Sequence, residues 1–267
     1  MRTIDVLWYT GGTNDGSYVT DVNNLATAAP GAPGGNTWNV TIWSGGAMPT
    51  GAFNVLVVAS PQGGWSPYPD YSGLTAAGLT FNPATTRVML TGQDADWHYM
   101  NYPGPASFDG PGGFLLDGIN WAGSGSGMGL VQLGFDTGDC VINCEPSMTT
   151  GGGYTVSGLG GTQNVIIPAA QAGFPINTGL TSAGLSNWST SAHNSYFVTN
   201  TGLWDGINLD GSVSSDPCTG PSCDYVTIVS AASAGGTITP TPEPASLLLF
   251  GSAAALAAGL IRRKKRA

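Results

Sequence analysis

The 267-residue chain predicts a doubly wound α/β fold with a mostly parallel sheet, continued by a β- and loop-rich elaboration. Three observations predict it. Strand-like and helix-like stretches alternate over residues 1–135. One strand-like stretch, Phe53-Asn54-Val55-Leu56-Val57-Val58-Ala59, is almost continuously apolar, as a parallel strand covered on both faces should be. From residue 136 the helical pattern fades, and short β-branched runs separated by glycine-rich turns take over.

In chain order, Ile4–Tyr9 is an apolar strand stopped by the turn Thr10-Gly11-Gly12. Asp15 to Ala28 places Val19, Val22 and Leu25 at helical spacing, with Pro30 beyond its end. Thr37–Trp43 alternates β-branched and aromatic residues and reads as a second strand; Phe53–Ala59 is the third. A Pro/Gly/aromatic loop over Ser60–Tyr71 precedes a fourth strand, Arg87–Gly92. Phe108–Trp121 reads as a helix burying Phe114, Leu115, Leu116 and Ile119, ended by the glycine-rich Gly123–Gly127; Met128–Leu133 is a fifth strand. Further on, Tyr154–Val156, Asn164–Ile167, Ser195–Thr199 and Tyr225–Val229 read as short strands, and no internal repeat is visible.

The stretches DVLWYTGG, VLVVAS, VMLTGQDADWH and FPINTGL together resemble class I glutamine-amidotransferase-like or ThuA-like domains. That resemblance implies a flavodoxin-like α/β sandwich. It does not carry the chemistry. Thr91-Gly92-Gln93-Asp94 stands where an amidotransferase needs its cysteine elbow, and Phe174 stands where ThuA-like proteins usually carry histidine.

In an open α/β sheet, ligands bind beyond the carboxyl ends of the strands. The segment after the fourth strand, GQDADWHYMNYPG, is therefore the first place to look. If it is extended, Asp94, Asp96 and His98 alternate onto one face, fit either for a divalent cation or for a carboxylate paired with a general-base histidine. If it opens a helix instead, Asp94 caps that helix and His98 is a surface residue. His193, in SNWSTSAHNSYF, is the only other histidine.

Other motifs are weaker. Gly123-Ser124-Gly125-Ser126-Gly127 has the letters of a nucleophile elbow but reads as the end of a helix. Glu145 is the only glutamate before Glu243, so a glycosidase carboxylate pair has little to draw on. Asp205-Gly206-Ile207-Asn208-Leu209-Asp210-Gly211 resembles a calcium loop but places Gly206 and Pro217 at two anchoring positions, and reads as Asp-Gly turns. No cofactor is expected here, calcium being the alternative this stretch raises. Gly11–Gly16 lacks the lysine and the spacing of a phosphate loop.

Charge is unevenly divided. Residues 1–242 contain Arg2 and Arg87 as their only cations, no lysine and 15 acidic residues, a formal charge of −13. Such a surface excludes nucleic acid as a partner, because phosphate contacts need cations. The four cysteines form two local pairs, Cys140/Cys144 and Cys218/Cys223. In an oxidising compartment each pair is expected to close its own small disulfide loop, the alternatives being a four-ligand zinc set with spacings looser than CxxC, or free thiols. An exported chain is expected to begin with a basic and then apolar leader, whereas MRTIDVLWYTGG reads as strand and turn, so the expected start lies upstream.

The end of the sequence is read most sharply. Pro242-Glu243-Pro244 is followed by an uncharged run, Ala245–Ile261, and then by Arg262, Arg263, Lys264, Lys265 and Arg266. Seventeen helical residues reach roughly 25 Å, the short end of what crosses a bilayer. The basic block should stay cytoplasmic and leave the preceding chain outside. This order of parts resembles the PEP-CTERM protein-sorting signal. The resemblance implies an inner-membrane stage with one C-terminal transmembrane helix, and processing near Pro-Glu-Pro by the membrane protease exosortase. It also implies release to the surface in bacteria that make exopolysaccharide. The expected organisation is an exported ectodomain over 1–234, a linker over 235–241 and the signal over 242–267. The ectodomain is expected to be a non-catalytic envelope or matrix protein, with an extracellular carbohydrate-active or amide hydrolase using Asp94, Asp96 and His98 as the alternative.

Overall fold

The computed structural model describes residues 1–13, 18–61, 67–101, 108–135, 145–220 and 222–231, all within one compact unit, Met1–Ala234. Strand β1 (Thr3–Tyr9) is central. Its alternate residues Ile4, Val6 and Trp8 enter one apolar cluster, while Leu7 and Tyr9 enter a second on the opposite face. Strand β2 (Thr37–Trp43) lies parallel to it on one side and β3 (Val55–Val58) on the other. All four residues of β3 are buried, Val55 and Val57 in the first cluster and Leu56 and Val58 in the second. That two-sided burial is the physical reason its sequence shows no alternation. Strands β4 (Val88–Thr91) and β5 (Gly129–Gln132) complete the parallel set, which runs β2-β1-β3-β5-β4.

Helices flank this set unevenly. The first cluster is covered by α1 (Tyr18–Ala28), by α3 (Ala95–Asn101) and by α4 (Pro111–Gly123), whereas the second receives only the short α2 (Ser72–Ala77) together with loops. The buried stripe of α1 is Tyr18, Val22 and Leu25, and Val19, one position off the stripe, is exposed. Helix α4 buries Phe114, Leu115, Leu116 and Ile119, but it starts at Pro111 rather than Phe108. A proline has no N–H to leave unsatisfied in a first turn, so the helix opens there.

The chain is a mixed α/β protein, and its described residues form one large sheet of ten strands. Its order places β5 between β3 and β4, where a flavodoxin-type sheet would run 2-1-3-4-5. The remaining strands are antiparallel: β6 (Tyr154–Thr162) pairs with β8 (Ala192–Val198), β7 (Val165–Ile166) with β9 (Trp204–Asp210), and β9 with β10 (Tyr225–Ser230). Strand β9 corrects the sequence reading. The Asp-Gly turns expected over Asp205–Gly211 are mostly strand, with Ile207 and Leu209 buried and Gly206 lying flat under the Tyr225 ring. The calcium loop considered there does not exist as a loop. Burial of the aliphatic pair outweighs the turn preference of the Asp-Gly dipeptide.

Strand β10 pairs with β4 over Thr227–Val229 and meets β8 at Tyr225, so β8 arrives where β4 ends. The join is close. The Gly92 N–H donates to Val226 O at 2.9 Å, and the His193 N–H donates to Gly92 O at 2.8 Å. A β-carbon on Gly92 would stand 2.0 Å from the Asn194 carbonyl oxygen, a contact with backbone that cannot yield cheaply. Gly92→Ala should therefore cost about 2 kcal/mol or more of stability, the scale of an overpacked interior. Denaturant titration of the two proteins measures this, and equal midpoints with equal slopes would contradict the close approach.

Candidate functional site

The turn Gly92-Gln93-Asp94 carries the chain from β4 into α3 at the carboxyl edge of the parallel strands. The Asp94 carbonyl accepts the His98 N–H at 3.1 Å, the first helical hydrogen bond. The Asp94 side chain, 1 % exposed, faces both histidines of the protein: Oδ1 lies 3.3 Å from His98 Nε2, and Oδ2 lies 3.4 Å from His193 Nε2. Burial drives this carboxyl toward the neutral form, but the contacts from His193 and His98 outweigh burial and hold it below its usual value. His98 Nε2 also lies 2.7 Å from Thr190 O. A carbonyl only accepts, so Nε2 carries the proton. His98 is buried, whereas a third of the His193 side chain is exposed.

Asp96 does not join this group. The alternation expected of an extended segment fails because residues 95–101 are helical: at 100° per residue, positions 94 and 98 share a face and position 96 points away. Asp96 is fully buried beneath the sheet edge, where Oδ2 accepts the Ser60 N–H at 2.9 Å and the Tyr18 hydroxyl at 3.0 Å. The Tyr18 oxygen in turn accepts from Trp8 Nε1 at 3.0 Å. Burial raises the Asp96 carboxyl to about 6 despite those two donors, with the nearby Asp94 adding to the rise.

Other polar side chains gather along the same edge. Thr91 Oγ1 lies 3.0 Å from Thr227 Oγ1 and accepts the Gln93 N–H at 3.0 Å. Gln132, at the end of β5, donates to Glu145 Oε1 at 3.1 Å. The buried Tyr71 hydroxyl donates to Ala59 O at 2.8 Å, and burial raises its phenol well above the usual value. Sequence reading placed Asp94 and His98 after the fourth strand, where the structure has them, but did not connect them to His193. That connection depends on β8 reaching β4, which no local pattern announces. Ser60, Tyr18 and Gln132 were legible only as neighbours of strand ends.

The geometry limits the chemistry. Among the described residues, Asn187 and Ser189 are the non-glycine residues with positive φ, so Asp94 does not sit on the strained elbow that presents a nucleophile. Among the described residues, no group of three or more His, Cys, Asp or Glu side chains is arranged to hold a metal ion. The arrangement can orient an imidazole, accept a proton at His193 and hydrogen-bond a polar ligand.

Of the paired cysteines, Cys218 and Cys223 form a disulfide; Cys140 and Cys144 lie outside the described residues. The tail also lies outside them, and among the described residues no helix is long and apolar enough to cross a membrane. Residues 240–266 match the family model of the PEP-CTERM protein-sorting motif. The chain carries that sorting signal. The matched span contains Pro242, Glu243, Pro244 and the basic residues Arg262, Arg263, Lys264, Lys265 and Arg266. It supports export, membrane anchoring before processing, and sorting by the membrane protease exosortase. No curated protein and no solved structure matches the chain.

The buried acids set the pH response. For Asp96, a folded value of about 6 against an unfolded value of about 3.9 means that its contribution is fully present below about pH 4 and is lost as pH rises through 6. Two units correspond to about 3 kcal/mol. Asp117 on α4, pushed by burial to about 8, extends the same trend toward alkaline pH. Asp96→Asn keeps an acceptor for Ser60 and Tyr18 and cannot ionise. The stability of the wild type relative to this variant should therefore fall between pH 4 and pH 7, read by urea unfolding at four pH values. Parallel curves would refute the buried-carboxyl assignment.

Proposed function

We propose that residues 1–234 are a non-catalytic ectodomain associated with exopolysaccharide at the cell envelope or in the surrounding matrix. Residues 235–241 would be its linker and 242–267 the signal that delivers it. The sorting motif carries this reading. Two features of the ectodomain support it. A charge of −13 with only two cations favours neutral or basic partners over polyanions. The acid–base groups at the strand ends are also spent on one another, since both histidines lean on one buried carboxylate.

The test is made in the native host. Intact mass and fractionation should show the wild type shortened near Pro244 and recovered at the surface, with the Pro242→Ala/Glu243→Ala/Pro244→Ala variant retained at full length in the inner membrane. In a strain unable to make exopolysaccharide, the processed protein should move from the envelope to the medium. Unchanged retention in that strain would overturn the matrix association and leave the sorting reading intact.

One observation favours a second reading. Asp94 orients a partly exposed His193, as a carboxylate orients a general base. On that reading the domain is an extracellular carbohydrate-active or amide hydrolase. His193→Ala separates the two: polysaccharide association should persist under the first reading, whereas a measurable turnover abolished by the substitution would establish the second.

A further inference from the structure

Beside His98 lies a pocket of about 480 Å³, lined by His98, Pro111, Gln163, Asn187, Trp188 and Ser189. Its floor is buried and largely apolar: Trp188 packs its ring 5.6 Å from His98 and 6.5 Å from Phe114, and its indole N–H is already used on Gly184 O at 2.7 Å. Its rim is polar and exposed, consisting of Gln163, Asn187 and Ser189. The loop that bears the rim is pinned from several sides. Asn187 N donates to Gln163 O at 2.9 Å, Trp188 N to Ser191 Oγ at 3.1 Å, Ser191 N to Thr162 O at 2.7 Å, and His98 Nε2 to Thr190 O.

Asn187 and Ser189 hold φ of 63° and 79°, a region uncommon for residues with a β-carbon, tolerated by asparagine, strained for serine and relaxed for glycine. In a chain with 42 glycines, neither position has one. Among the described residues, neither side chain makes a hydrogen bond that would account for this backbone, and the Gln163 amide makes none either. Strain kept beside a pocket, on side chains that do nothing for the fold, points to a ligand.

The described lining also states the ligand's chemistry. Two carboxamides and a hydroxyl offer both donors and acceptors around a Trp/Pro floor, and among the described residues no carboxylate, lysine or arginine lines the pocket. The two cations of the ectodomain are engaged elsewhere, Arg87 Nη1 donating to Trp121 O at 2.8 Å and Arg2 Nη1 to Ser124 O at 3.1 Å, at the end of α4. A charged ligand would find no counter-charge. We infer that this pocket is the subsite through which the ectodomain holds an uncharged sugar unit, ring on the Trp188/Pro111 floor and hydroxyls on the Gln163, Asn187 and Ser189 rim. The inference rests on the glycan association proposed above and assigns it a place.

The experiment titrates the processed protein, purified from the host, calorimetrically with neutral tetrasaccharides of glucose, mannose and galactose, and with an alginate tetrasaccharide as charged control. At least one neutral probe should bind and alginate should not. Asn187→Gly/Ser189→Gly removes two ligand contacts while relaxing the backbone. It should weaken binding by roughly tenfold or more with a melting temperature equal to or above the wild type's. Gln163→Ala, on the opposite wall, should weaken it as well. The assignment is overturned if no neutral probe binds, if alginate binds better, or if the glycine variant binds as the wild type does. A glycine variant that still associates with the host's exopolysaccharide would refute the pocket and spare the envelope reading, whereas a wild type that associates with none would refute both.

Discussion

A carboxylate taken out of water must be met by donors, and Asp94 is met by two imidazoles from distant parts of the chain. His98 reaches it along one turn of α3, and His193 reaches it from β8. The carboxylate therefore ties the end of the parallel sheet to the start of the antiparallel elaboration, at the point where Gly92 lets the Asn194 backbone come close. Without that small residue β8 could not settle against the turn that follows β4, and His193 would lose its acceptor. The close approach comes first and the polar contact follows from it.

The parallel half was the more legible part of the sequence. Strands β1, β3, β4 and β5 show as apolar runs because burial on two faces demands them, the edge strand β2 shows by its β-branched and aromatic residues, and α4 shows because its stripe is wide. What failed was any feature decided by distant partners. The position of β5 between β3 and β4 is chosen by how α3 and α4 return the chain, and no residue within β5 records it. The DGINLDG stretch reads as turns until Tyr225 is known to need a flat glycine beneath its ring.

The candidate site divides in the same way. Asp94 and His98 were legible, because a polar cluster directly after a buried strand is where a sheet of this type places its ligands. Their geometry was not, since it depends on whether residues 95–101 coil, and the choice of helix separates Asp96 from the pair it was expected to join. Asp96 became instead the acceptor of a buried chain from Trp8 through Tyr18, a structural role with a consequence for pH. The positive φ of Asn187 and Ser189 left no trace in the sequence at all, because asparagine and serine are ordinary loop residues.

The charge pattern then acquires a physical sense. The cations of the tail lie beyond the sorting motif's proline–glutamate–proline, so processing near Pro244 would remove all five and leave a chain with two. What remains is strongly acidic overall, yet the buried acids are handled in different ways: histidine contacts hold Asp94 below its usual value, whereas burial pushes Asp96 and Asp117 toward the protonated form. Surface acidity keeps such a protein apart from polyanions, while the described lining of the pocket at Trp188 contains no carboxylate, lysine or arginine. Long-range repulsion and local neutrality are compatible, because screening confines the first to the exposed carboxylates over about 10 Å at moderate salt. A neutral glycan meets neither obstacle, and it can be held by directional hydrogen bonds and an apolar floor alone.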